Sequence, residues 1–115
     1  MSTARACSFE ANGRTYHLGP APVAVICVDG CSQDYLDAAI EAGAMPNTER
    51  LIAQGFGELC LGCLPSYTNV NNSAIVTGTP PSVHGISGNF FLDPDTGEEV
   101  MMNSPEFLRV STIFP

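Results

Sequence analysis

The sequence contains no lysine and no tryptophan, and its basic side chains are four scattered arginines, Arg5, Arg14, Arg50 and Arg109. With a net charge of −8, it offers no basic face for a polyanion, which excludes a nucleic-acid partner. It also means that an anionic substrate would have to be neutralised by something other than this chain's own ammonium groups. No apolar run approaches the ~18 residues of a membrane-crossing helix. The first ten residues lack a continuous apolar stretch behind a basic start, so they do not read as a secretory signal, and a cytoplasmic location is expected. Cysteine is present but odd in number, at five, which fits reduced thiols rather than a disulfide framework. Cys60-Leu61-Gly62-Cys63 is a C-x-x-C without a second such knuckle, so the cysteines are expected to be small buried hydrophobes rather than a zinc ribbon.

What is present is a series of strong local signals. Asn12-Gly13 between two short extended runs predicts a hairpin over residues 7–18. Gly19-Pro20-Ala21-Pro22 then breaks the chain. Residues 23–28 form a continuous run rich in valine, the pattern of a buried parallel strand ending at Asp29-Gly30. Ser32 is placed to cap a helix over 33–43, with Tyr35, Leu36, Ala39 and Ile40 on one face and Gly43 at its end. Pro46 at a first-turn position predicts a second helix over 46–54, with Leu51 and Ile52 inward. Residues 57–63 read as another strand. Thr68 or Asn69 caps a helix through Thr77 that Gly78 terminates, residues 80–88 read as loop, and 86–102 contain a second hairpin about Asp93–Gly97. The expectation is an α/β fold: a hairpin at 7–18, a βαβα core at 23–78 with a parallel sheet and helices on both faces, and a hairpin at 86–102. Two parallel strands bury too little to close such a sheet, so the 115 residues are expected to be an incomplete domain, the amino-terminal portion of a larger one.

Asp29 lies at the carboxyl end of a predicted strand, where open α/β sheets place their sites. The competing reading is a turn residue before Gly30. Thr68 lies at the amino end of a predicted helix, where backbone N–H groups and the dipole favour an anion, and a hydroxyl there is a candidate nucleophile. The competing reading is an ordinary capping threonine. Asn89, after Gly88, has an amide suited to a phosphoryl oxygen, or to a turn. His84 reads as loop packing with a weaker claim to acid–base work, and His17 as incidental.

Taken in order, Val25-Ile26-Cys27-Val28-Asp29-Gly30, Ala44-Met45-Pro46-Asn47-Thr48, Pro65-Ser66-Tyr67-Thr68-Asn69, Ile75-Val76-Thr77-Gly78 and Val83-His84-Gly85-Ile86 resemble the amino-terminal part of the alkaline phosphatase superfamily. The asparagine-rich Thr68–Ser73 stretch and Gly88-Asn89-Phe90-Phe91 are most similar to members that split the carbon–phosphorus bond of phosphonoacetate into acetate and phosphate. The resemblance implies two zinc ions, with Asp29 and Thr68 as ligands of one, Thr68 as the nucleophile and Asn89 on a phosphonate oxygen. It further implies a small-molecule phosphonate as partner and a homodimer for the complete enzyme. Relatives hold the substrate carboxylate with lysines, which this chain lacks, and the remaining ligands are expected beyond Pro115, so these residues on their own are expected to be inactive. A phosphodiesterase or pyrophosphatase of the same superfamily is the alternative, and a non-catalytic interaction module is the alternative of another class.

Overall fold

A computed structural model describes residues 7–114. The chain divides into two compact units, Met1–Ala24 with Gly62–Pro115, and Val25–Leu61.

The first unit is built around one helix, α3, Thr68–Thr77. Two hairpins belong to it. Strands β1 (Cys7–Ala11) and β2 (Arg14–Leu18) pair antiparallel, with Phe9 opposite Tyr16. Both turn residues, Asn12 and Gly13, have positive φ (52° and 75°), as the tightest hairpins require. Phe9 and Tyr16 point to one side and stack at 5.2 Å between ring centroids. The turn is also a clamp. Asn12 Nδ2 donates to the Thr77 carbonyl at 2.9 Å and to the Ser111 carbonyl at 2.6 Å, tying the hairpin to the end of α3 and to the carboxyl-terminal segment. That segment runs along the same helix end, where Ile113 N donates to Val76 O at 2.8 Å. Strands β3 (Phe90–Leu92) and β4 (Glu99–Met101) make the second hairpin, Phe91 opposite Val100. Phe91 meets Phe107 edge to face at 5.6 Å, and Ser104 Oγ accepts from Glu106 N to start the 3₁₀ turn Pro105–Phe107. Residues 80–88 are not all loop. Pro81–His84 form one helical turn, α4, because Pro81 supplies a pre-set φ and Gly85 a left-handed exit at φ 86°. The buried centre comprises Val70, Ile86, Thr77, Thr79 and His84.

The second unit contains α1 (Gln33–Glu41) and α2 (Pro46–Gln54). Helix α2 has the bounds its Pro46 and Gly55 predict, whereas α1 closes two residues earlier than expected, with Ala42 as its last half-helical residue and Gly43 left-handed at φ 70°. The Ser32 carbonyl starts α1 by accepting from Tyr35 N and Leu36 N, but its side chain makes no capping bond. Leu36, Ala39 and Ile40 are half-buried, while Tyr35, Leu51 and Ile52 are exposed, so the apolar face of each helix is only partly covered. An open groove of about 970 Å³ lies beside Leu36, Ile40, Ile52 and Phe56.

No ladder joins residues 23–28 and 57–63 among the described residues. Among the described residues, both sheets are two-stranded and antiparallel. Val23, Ile26, Leu59 and Leu61 are each at least 80% exposed. Apolar composition makes a segment a strand only where a neighbouring strand pairs with it in a ladder. The cysteines are not the buried hydrophobes expected: Cys7, Cys27, Cys31 and Cys60 are exposed and Cys63 is half-buried. Among the described residues no helix is long and apolar enough to cross a membrane.

Candidate active site

Thr68 is the first residue of α3 and its side chain is exposed. The sequence predicts Thr68 or Asn69 as the cap. In the structure Tyr67 holds the capping position, with extended backbone (φ −103°, ψ 156°), and its side chain makes no capping bond. The cap comes instead from twenty residues away: Asn89 Oδ1 accepts from Asn69 N at 3.1 Å. One of the orphan donors at the helix start is thus satisfied by a side chain from the strand-entry segment. This places Asn89 against the residue next to Thr68. It also sets the amide's direction, since the oxygen end faces the helix and Nδ2 is the donor end.

Two further bonds fix this arrangement. Asn69 Nδ2 donates to Met102 O at 2.9 Å, and Met102 N donates to Asn89 O at 2.8 Å. Asn89 and Met102 are the residues just outside β3 and β4, so the open end of the hairpin is fastened to the start of α3. Asn71 works on the other side. Its Oδ1 accepts from Cys63 N at 2.7 Å, and its Nδ2 donates to Tyr67 O at 3.1 Å. The asparagine-rich run therefore has a purpose the sequence did not disclose. Asn69 holds the hairpin, and Asn71 holds the loop that leads into Thr68. The run itself was the available signal.

His84 is fully buried. Its Nδ1 accepts from Ile86 N at 3.1 Å, which puts the ring proton on Nε2, and Nε2 has no partner among the described residues. Burial pushes the imidazole below its ordinary pKa, toward the neutral form. The His84 carbonyl accepts from Arg109 N at 3.1 Å. His84 thus shapes the stretch that leads to Asn89, in keeping with loop packing.

Asp29 lies in the other unit, exposed, in the turn with Gly30 at φ 69°. Asp29 and Thr68 offer two oxygen donors, short of the roughly four that zinc takes. Among the described residues, no group of three or more His, Cys, Asp or Glu is placed to hold a metal ion. These residues do not by themselves make a zinc site. What the first unit does assemble is an exposed hydroxyl at a helix start, the positive end of that helix's dipole, and an oriented amide beside it. Together they suit a tetrahedral anion.

Comparison with known proteins follows the same lines. Residues 23–113 match the model of the type I phosphodiesterase / nucleotide pyrophosphatase family. The phosphonoacetate hydrolase of Sinorhizobium meliloti 1021, solved with phosphonoformate and with phosphonoacetate, is 50% identical and superposes with a TM-score of 0.86 over 96% of this chain and 27% of its own. A pyrophosphatase/phosphodiesterase of Schizosaccharomyces pombe, itself uncharacterised, is 37% identical over 84 residues, 73% of this chain and 17% of its own length. The alkaline phosphatase PafA of Elizabethkingia meningoseptica is 29% identical over 92 residues, 78% of this chain and 17% of its own. The chain thus spans about a quarter or less of the proteins it matches.

Proposed function

Since the chain belongs to the type I phosphodiesterase / nucleotide pyrophosphatase family, we propose that it carries the nucleophile-bearing portion of a hydrolase that splits the carbon–phosphorus bond of phosphonoacetate. The observation that carries this reading is the Asn89 amide capping α3 one residue from an exposed Thr68. The phosphonate-bound relative at 50% identity supports the choice of substrate.

In this reading the phosphonate lies at the start of α3, with one oxygen accepting from Asn89 Nδ2. Thr68 Oγ forms a bond to phosphorus as the carbon–phosphorus bond breaks. The bonding pair leaves on carbon, and the resulting acetate carbanion takes up a proton as the threonine hydroxyl gives one up. Water then hydrolyses the phosphothreonine to phosphate and regenerates Thr68. The helix dipole and the oriented amide favour the charge that builds on the phosphoryl oxygens. Asp29 and Thr68 are by themselves too few ligands to hold zinc. Activation of the hydroxyl and a grip on the substrate carboxylate call for groups beyond those described. The chain spans about a quarter of the Sinorhizobium meliloti enzyme, which leaves room for strands that would complete a parallel sheet with residues 23–28 and 57–63.

The test is made on the whole protein that carries this sequence. Phosphonoacetate is expected to yield acetate and phosphate, and rapid acid quench is expected to trap phosphate on the peptide containing Thr68. Thr68→Ala should abolish both. Cleavage of a phosphodiester with no action on phosphonoacetate would replace this reading by the phosphodiesterase one. Turnover by Thr68→Ala at the wild-type rate would reject the nucleophile.

A further inference from the structure

We propose that Asn69 is a positioning residue, which holds the Asn89 amide in register with Thr68 by closing a ring of hydrogen bonds across the open end of the β3–β4 hairpin. This rests on the reading of Thr68 and Asn89 given above. The ring has three members. Asn69 N reaches Asn89 Oδ1, Asn69 Nδ2 reaches Met102 O, and Met102 N reaches Asn89 O, at 3.1, 2.9 and 2.8 Å. Asn69 supplies two of the three donors, one from its backbone and one from its side chain. It bridges 20 residues of sequence to Asn89 and 33 to Met102, both toward the carboxyl terminus.

The chemistry of the position selects asparagine. The side chain must donate to a carbonyl, which excludes aspartate. It must also remain neutral, because an added negative charge at the start of α3 would repel the anion that the site is built to receive. Alanine keeps the backbone donor but frees the Met102 side of the hairpin, so the amide of Asn89 loses its second fixed reference. A displacement of about an ångström at a reacting centre costs roughly 100-fold in rate.

The test uses the whole protein and three variants. Asn69→Ala removes the side-chain donor. Asn69→Asp removes it with almost no change of shape, and serves if the alanine variant does not fold. Asn12→Gly is the control, since Asn12 also donates over long range to backbone carbonyls, but at the far end of α3. The first readout is the ¹⁵N spectrum of the Asn89 side-chain amide without ligand. Its signals are expected to move toward those of a free asparagine in both Asn69 variants and to stay in place in Asn12→Gly. The second is phosphonoacetate turnover, where kcat is expected to fall roughly 100-fold in Asn69→Ala with KM changed far less. Unmoved Asn89 signals, or an equal loss of kcat in Asn12→Gly, would overturn the proposal. A wild-type protein inert to phosphonoacetate would reject the substrate reading, and the amide spectrum would still decide whether Asn69 positions Asn89.

Discussion

Replacing Gly78 by alanine tests whether the amino-terminal hairpin is clamped on α3. Two separate penalties apply there. Gly78 ends the helix at φ 64°, a left-handed conformation that costs an L-residue about 1–2 kcal/mol. A β-carbon at this position would also overlap the Tyr16 hydroxyl and touch Ile113. Tyr16 would have to swing away, and its ring is stacked on Phe9, a contact worth about 0.5–1.5 kcal/mol. The sum is about 1.5–3.5 kcal/mol. Gly13 isolates the first penalty, for it has a similar φ of 75° and no atom within 4 Å of the point an alanine β-carbon would occupy. Gly13→Ala is therefore expected to cost only about 1–2 kcal/mol. At about 4–8 °C per kcal/mol for a small domain, Gly78→Ala should melt about 15 °C below wild type at the middle of that range, and Gly13→Ala about 9 °C below. Calorimetric melts of the two variants, run side by side, give the answer. Equal shifts would show that Tyr16 does not press on the helix end, and would refute the clamp.

Other outcomes follow from the same structure. His84 is held neutral by burial, with its pKa pushed below the ordinary value, so the unfolded chain takes up a proton first as pH falls. Stability should be level above about pH 6.5 and decline below it, a slope that urea midpoints at several pH values will show and that His84→Gln should flatten. Asn12→Gly, which keeps a turn-competent residue but removes two hydrogen bonds, should lower stability by about 1–3 kcal/mol with turnover unchanged, as read by denaturant titration alongside an activity assay. Asn89→Ala removes both the long-range cap and the donor, and should lower kcat by roughly 100–1,000-fold, far beyond its effect on the melting temperature.

The elements that were legible in the sequence are those whose causes are local. Pro46 and Gly55 bracket α2, Gly78 stops α3, and Asn12-Gly13 makes the first turn, each through its own backbone preference. The same punctuation stands at Pro81 and Gly85, but a single helical turn has too few residues to show a period. Residues 23–28 are hard to read for the opposite reason. Their composition is right for a strand, yet a strand exists only in a ladder, and whether a partner is present is not a property of the segment. Thr68 and Asn89 are visible as candidates from position and residue type. Their linkage is not, because it depends on Asn69 and Met102 meeting across 33 residues. Only the excess of asparagine hints that side chains there bond to distant backbone.

The second hairpin is anchored at its open end and left alone at its tip. Asp93–Gly97 closes on itself, with Gly97 N on Asp93 O, Asp95 N on the Asp93 carboxylate and Asp93 N on Glu98 O, at 2.8, 2.9 and 2.8 Å. Neither Thr68 nor Asn89 depends on that loop's length. Insertions at such exposed, self-contained tips are the kind a fold absorbs most readily. A fluorophore-bearing or affinity-tag peptide spliced between Asp95 and Thr96 would thus ride on a lever whose fulcrum is Asn89, and report on the amide without touching it.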